Sequence, residues 1–189
     1  MKILFTLSTL VLILNASITL PKNFETDFNQ TITNDKNRAI HYRGKVSFKQ
    51  EKYIIVNEAG DEREIGSSFF KWNYTDPTKK EVCTDGIQLT VIDHDLEQVS
   101  KYLINEGIDL EKILNVAEQI STKDYKATYK EVEYLITLDE KGQLKKIVYV
   151  DTLDNRVKII FEKMEYNIQP FDDNDVKCPA QADYDVIEG

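Results

Sequence analysis

After Met1-Lys2 the chain runs apolar from Ile3 to Leu14, broken only by Thr6, Ser8 and Thr9, and then reaches the small residues Ala16 and Ser17. A basic start, a short apolar stretch and a small-residue exit form the layout of a secretory signal peptide. The run falls short of the roughly 20 apolar residues that span a bilayer as a helix. Residues 1–17 therefore read as a signal peptide cut near Ala16 or Ser17, which leaves 18–189 as one exported domain. Phe24, Phe28 and Ile32 then recur every four residues with polar residues between, so Asn23 to Asn34 is predicted to be a short amphipathic helix with Asn23 as its N-cap.

From Ile40 the period changes to two. Ile40, Tyr42, Val46 and Phe48 alternate with polar neighbours, and Gly44 interrupts the apolar set as a bulge or a close backbone approach. Gln50-Glu51-Lys52 reads as a turn into a second extended run, Tyr53 to Val56. Phe70, Trp72 and Tyr74 put three aromatics on one face of a strand that Pro77 ends. Glu81 to Cys83, Gln88 to Ile92 and Gln98 to Leu103 continue the sheet, with turns at Asp85-Gly86 and Asp93-His94-Asp95. Leu110, Ile113, Leu114 and Ala117 have helical spacing, with Asp109 as N-cap, and Val116 and Ile120 widen the stripe into a long helix. Four strands follow, from Tyr125 to Tyr166, and the stretch from Pro170 to Gly189 reads as acidic and irregular. About nine antiparallel strands with two helices to cover them make an α+β or barrel-like domain.

Composition narrows the function. Of 189 residues, 24 are Lys or Arg and 33 are Asp or Glu, a formal charge of −9; without Lys2 the balance becomes 23 against 33, or −10. Such a chain lacks the basic footprint of nucleic-acid binding. The two histidines, His41 and His94, are far apart, and the cluster Asp93, His94, Asp95 and Glu97 reads as a charged hairpin turn, not a cation site. No nucleophile elbow, zinc-protease or phosphate-loop motif is present, so no catalytic residue, metal or cofactor is nominated. In an oxidising compartment Cys83 and Cys178 either pair or remain two buried thiols. The apolar stripes fit a packed core and fit equally a sheet curved around a cavity, because both give the same alternation.

Phe70-Lys71-Trp72-Asn73-Tyr74-Thr75-Asp76-Pro77 resembles a signature of the form F-x-W-x-Y-x-x-P. It is followed by Asp85-Gly86, Leu89 and Asp93-His94-Asp95-Leu96-Glu97-Gln98-Val99, similar to D-G-x-x-L and D-x-D-L-x-Q-V. Phe24 to Gln30 is similar to F-x-x-x-F-x-Q, and Asp185-Val186-Ile187, separated from Pro179 by five residues, is similar to the closing P-x-x-x-x-D-V-I with one residue more in the spacer. These matches, in order, are those of the periplasmic lipoprotein carriers of the LolA family. The resemblance implies an incomplete, strongly curved antiparallel half-barrel with a helical lid over an apolar cavity. It also implies a monomeric periplasmic chaperone. Its partners would be triacylated lipoproteins, the inner-membrane ABC transporter that releases them and, where one exists, an outer-membrane acceptor. On that basis Phe70, Trp72, Tyr74, Leu89 and Val91 are expected to line the cavity, and Phe24, Phe28, Ile113 and Leu114 to form lid faces. Another lipid-binding or sensor module on the same half-barrel is the alternative. One departure stands out: the family's Arg-Pro pair, whose Arg bonds to the lid, falls here on Gly66-Ser67, with Arg63 and Arg43 as the nearest substitutes.

Overall fold

The computed structural model describes residues 18–57, 59–103, 110–179 and 181–188, so the signal segment and Asp109 lie outside the described residues. Among these residues twelve strands form one sheet. They are β1 (Asn23–Thr33), β2 (Ala39–Val56), β3 (Glu62–Asp76), β4 (Lys80–Thr84), β5 (Gln88–Asp93), β6 (Gln98–Leu103), β7 (Glu118–Gln119), β8 (Asp124–Tyr129), β9 (Val132–Leu138), β10 (Leu144–Val150), β11 (Arg156–Tyr166) and β12 (Asp185–Glu188). The spatial order is β12-β6-β5-β4-β3-β2-β1-β11-β10-β9-β8-β7. Neighbours run antiparallel except β12, which lies parallel to β6. The sheet is curved and open, because β12 and β7 end it without closing into a barrel. Helix α1 (Leu110–Asn115) packs on the concave side through Leu110, Ile113 and Leu114.

The segment expected to be the first helix is instead β1, at the centre of the sheet between β2 and β11. A spacing of four satisfies a helix and, equally, every second inward position of a strand. The intervening inward positions are Thr26 and Gln30, both buried, and their polarity hid the alternation. Thr26 is satisfied there: its hydroxyl donates to the Glu162 carbonyl at 2.9 Å. Phe24 and Phe28 therefore belong to the sheet and not to a helical lid. Phe24 packs on Phe48 with ring centroids 5.0 Å apart, and Phe28 meets Trp72 and Tyr74 edge-on at 5.1 Å.

That last contact crosses a strand, and Gly44 permits it. Gly44 on β2 pairs with Phe28 on one side and Tyr74 on the other, at a shift in register. A Cβ there would lie 1.9 Å from the Asn73 carbonyl oxygen and 2.9 Å from the Phe28 ring. Gly44→Ala is expected to destabilise the fold by at least about 2 kcal/mol, since the clash is with backbone and a closed aromatic layer. Urea unfolding of the variant checks this; an unchanged midpoint would refute it.

Three further expectations are corrected. Gln50-Glu51-Lys52 is no turn: β2 continues through it to Val56. The reversal comes at Asn57, whose side chain accepts from the backbone N–H of Ala59 and Asp61 at 3.0 and 2.8 Å. The long helix stops at Asn115, leaving Val116 and Ile120 exposed, because the chain turns out to pair as β7. The C-terminal stretch is not irregular throughout. A short 3-10 turn (Asp173–Val176) buries Val176, Cys178 is disulfide-bonded to Cys83 on β4, and β12 closes the sheet edge.

Candidate functional site: an apolar cavity beneath helix α1

Alternation on the central strands sends every second side chain to the concave face. On β3 these are Phe70, Trp72 and Tyr74; opposite them on β4 stand Thr84 and Val82, and on β5 Leu89 and Val91. Helix α1 lies across this face with Leu110 and Ile113 turned towards it. Between helix and sheet is a cavity of about 150 Å³. Phe70, Trp72, Tyr74, Leu89 and Ile113 line it. Val91 shares the face of Leu89 and sits opposite the lining residue Val82, while Leu114 is fully buried in the adjoining core. The far wall comes from the second half of the sheet, through Tyr134, Ile147, Tyr149 and Ile159. Sequence reasoning left these four out. Their signal was the inward stripe of β9, β10 and β11, but periodicity alone does not say which part of a stripe meets a void.

The polar members of the lining are Gln30, Thr84 and the tyrosine hydroxyls; none of the described lining residues is charged. Burial reinforces this. It pushes the Tyr74 hydroxyl up to about 12, and raises Tyr149 and Tyr134 as well, with neighbouring tyrosines adding to the effect. The wall is therefore neutral across the physiological range. A group whose folded pKa is raised contributes stability below its unfolded pKa and loses it as pH rises through the folded one. For Tyr74 that window is pH 10 to 12, and the loss is about 3 kcal/mol in total. Urea midpoints between pH 8 and 12 should fall more steeply for the native chain than for Tyr74→Phe. Parallel curves would contradict the assignment.

Besides its apolar face, the helix is joined to the sheet by Glu111. Its carboxylate accepts from the Gln50 side-chain amide on β2 at 3.0 Å and from the Ser68 hydroxyl on β3. Ser68 sits one residue beyond the Gly66-Ser67 position. Arg43 is engaged elsewhere, in a 3.0 Å ion pair with Asp76, and Arg63 lies exposed on the distal part of β3, opposite Ile55.

At the end of β5 the Asp93–Glu97 cluster is built as a turn. Asp93 pairs with Lys80 at 3.0 Å and accepts from the N–H groups of Asp95 and Leu96. His94 lies between Tyr184, at 3.0 Å, and Glu81, at 3.4 Å. The family profile described as outer membrane lipoprotein carrier protein LolA matches residues 68–174, from the middle of β3 to the 3-10 turn. The outer-membrane lipoprotein carrier protein of Wolinella succinogenes is 31% identical over 145 residues, 77% of this chain and 75% of that protein. The chain belongs to the LolA family. The carrier protein of Campylobacter jejuni is 28% identical over 60% of this chain and 56% of that protein. Among solved structures, a LolA superfamily protein from Nitrosomonas europaea covers 81% of this chain and 90% of its own, at 12% identity and a TM-score of 0.44. Within the family profile fall the aromatic strand, β4, β5 and α1, which together make the near wall and roof of the cavity.

Proposed function

We propose that this protein is a non-catalytic periplasmic carrier. It takes the acyl chains of triacylated lipoproteins from an inner-membrane ABC transporter, shields them in the cavity beneath α1, and yields them to an outer-membrane acceptor. The observation that carries this reading is the uncharged aromatic and aliphatic cavity between the concave sheet and α1. The signal-peptide pattern of residues 1–17 supports the export it requires.

The energetics suit a shuttle. Each methylene removed from water contributes about 0.8 kcal/mol, so three acyl chains cannot be left in solution. A wall without charged anchors holds them by area alone, and any comparable apolar receiver can take them. At about 150 Å³ the cavity is smaller than the few hundred Å³ of a usual ligand pocket, so cargo must displace α1. The short helix, joined to the sheet by Glu111 and by its apolar face, is a roof that can lift.

Mass spectrometry of the protein purified from its native periplasm tests the reading. Co-purifying triacylated lipoprotein is the expected result. Clean apo protein that also fails to take up lipoprotein from inner-membrane vesicles would overturn it.

A further inference from the structure

Beside the apolar cavity lies a second, wider recess of about 440 Å³. One wall is β3 from Ile65 to Ser68; the facing wall is the β4–β5 turn at Asp85, Gly86 and Ile87; α1 contributes Glu111 and Asn115. Phe70 and Thr84 line this recess and the cavity alike, so the two adjoin. Along the recess the edge of β3 has no strand partner among the described residues. Its register with β4 begins only at Phe70 opposite Thr84, and from Glu62 to Phe69 the described residues pair it with β2 on one side alone. The β4–β5 turn approaches this edge at Ser68, whose carbonyl oxygen lies 3.7 Å from where a Gly86 Cβ would stand. At Gly66 an added Cβ would meet, among the described residues, nothing nearer than the Glu51 carbonyl oxygen at 3.9 Å.

We propose that this recess receives the first residues of the cargo polypeptide, which add to the open edge of β3 as a short extended strand. The inference rests on the carrier reading. In a lipoprotein the acyl chains hang from the N-terminal residue, so the first residues of a chain whose lipid fills the cavity lie beside the cavity, and the recess adjoins it at Phe70 and Thr84. An unpaired strand edge presents N–H and C=O groups that any extended peptide can satisfy. Recognition through the backbone is independent of side chains, as a carrier of many different proteins requires. The polar Ser67, Ser68, Asp85 and Glu111 suit a peptide better than a lipid tail.

Displacement of an environment-sensitive apolar dye separates the lipid from the peptide contribution. Three ligands are compared: tripalmitoyl-cysteine amide, the same lipid carrying a short Gly, Ser and Asn peptide, and that lipopeptide with its backbone amides N-methylated. The lipopeptide is expected to bind about tenfold more tightly than the lipid alone, the gain of two or three backbone hydrogen bonds, and N-methylation should remove that gain. Gly66→Trp, which fills the recess from an open position, should bring the lipopeptide-to-lipid ratio to one. Equal affinity of lipid and lipopeptide in the native chain would overturn the peptide site and leave the carrier reading standing. Failure of all three ligands to displace the dye would overturn both. A lipid-free dimer in sedimentation that Gly66→Trp abolishes would put a second copy on the β3 edge and refute the cargo peptide as its occupant.

Discussion

Replacing Cys83 and Cys178 together with Ala is expected to lower unfolding stability by about 4 kcal/mol and to free the C-terminal segment while the centre of the sheet persists. The bond joins residues 95 apart in sequence, with Cα atoms 5.8 Å apart. In the unfolded chain it closes a long loop, and the entropy so removed is near the upper end for a single disulfide. In the folded chain it fixes the point from which the C-terminal segment reaches the sheet edge. Next to it Lys71 donates to the Lys177 carbonyl, and Val176 is buried. Further on, Tyr184 meets His94, the Asp185 N–H donates to the Glu97 carbonyl, and β12 pairs with β6. These contacts are local and mostly at the surface, where each contributes about 1 kcal/mol or less. Without the covalent tie β12 should fray before β1 or β11, which lie between partners on both sides. Hydrogen exchange should therefore show lost protection at Asp185–Glu188 and retained protection at Asn23–Thr33. A double variant with an unchanged urea midpoint and a protected β12 would show that the non-covalent contacts suffice.

The parts of this architecture that were legible in the sequence are those where one local pattern admits one structure. Phe70-Lys71-Trp72-Asn73-Tyr74 alternates strictly, with Pro77 immediately after the end of β3, and it is a strand with its aromatics inward. Leu110, Ile113, Leu114 and Ala117 are all buried, as their spacing requires, although the helix is shorter than their stripe. Where a pattern admits two structures, tertiary context decided. Phe24 and Phe28 fit either period, and the inward Thr26, satisfied by the Glu162 carbonyl, tipped the local reading the wrong way. Gln50 was read as part of a turn because it is polar; in the fold its side-chain amide donates to Glu111 on α1. The helix-to-sheet contact was invisible for a related reason. Its parts, Glu111, Gln50 and Ser68, come from three elements whose approach no sequence spacing encodes. The cavity belongs to the same class, since Tyr134 and Tyr149 alternate on their strands as core residues do, and only the curvature of the sheet makes them a wall.

Leu89→Glu is expected to reduce binding of apolar dye and lipoprotein at least about 100-fold while leaving the fold in place. Leu89 is half-buried, lines the cavity from β5, and stands outside the fully buried core cluster, so its replacement opens no void in that core. In the empty protein the new carboxylate can face the mouth and stay hydrated. Once acyl chains enter, it must be buried against them or exclude them, and an unpaired charge in an apolar site costs several kcal/mol. Three kcal/mol is already about a hundredfold in affinity. The penalty arises only in the loaded state, so the free protein's urea midpoint should change little while release of lipoprotein from inner-membrane vesicles stops. Leu96→Glu is the matched control, because Leu96 is 70% exposed in the Asp93–Glu97 turn and does not line the cavity, and it should release cargo normally. Leu89→Gln, similar in size but neutral, should fall between the two and separate the effect of charge from that of lost apolar area. Unimpaired release by Leu89→Glu would place the acyl chains somewhere other than beneath α1.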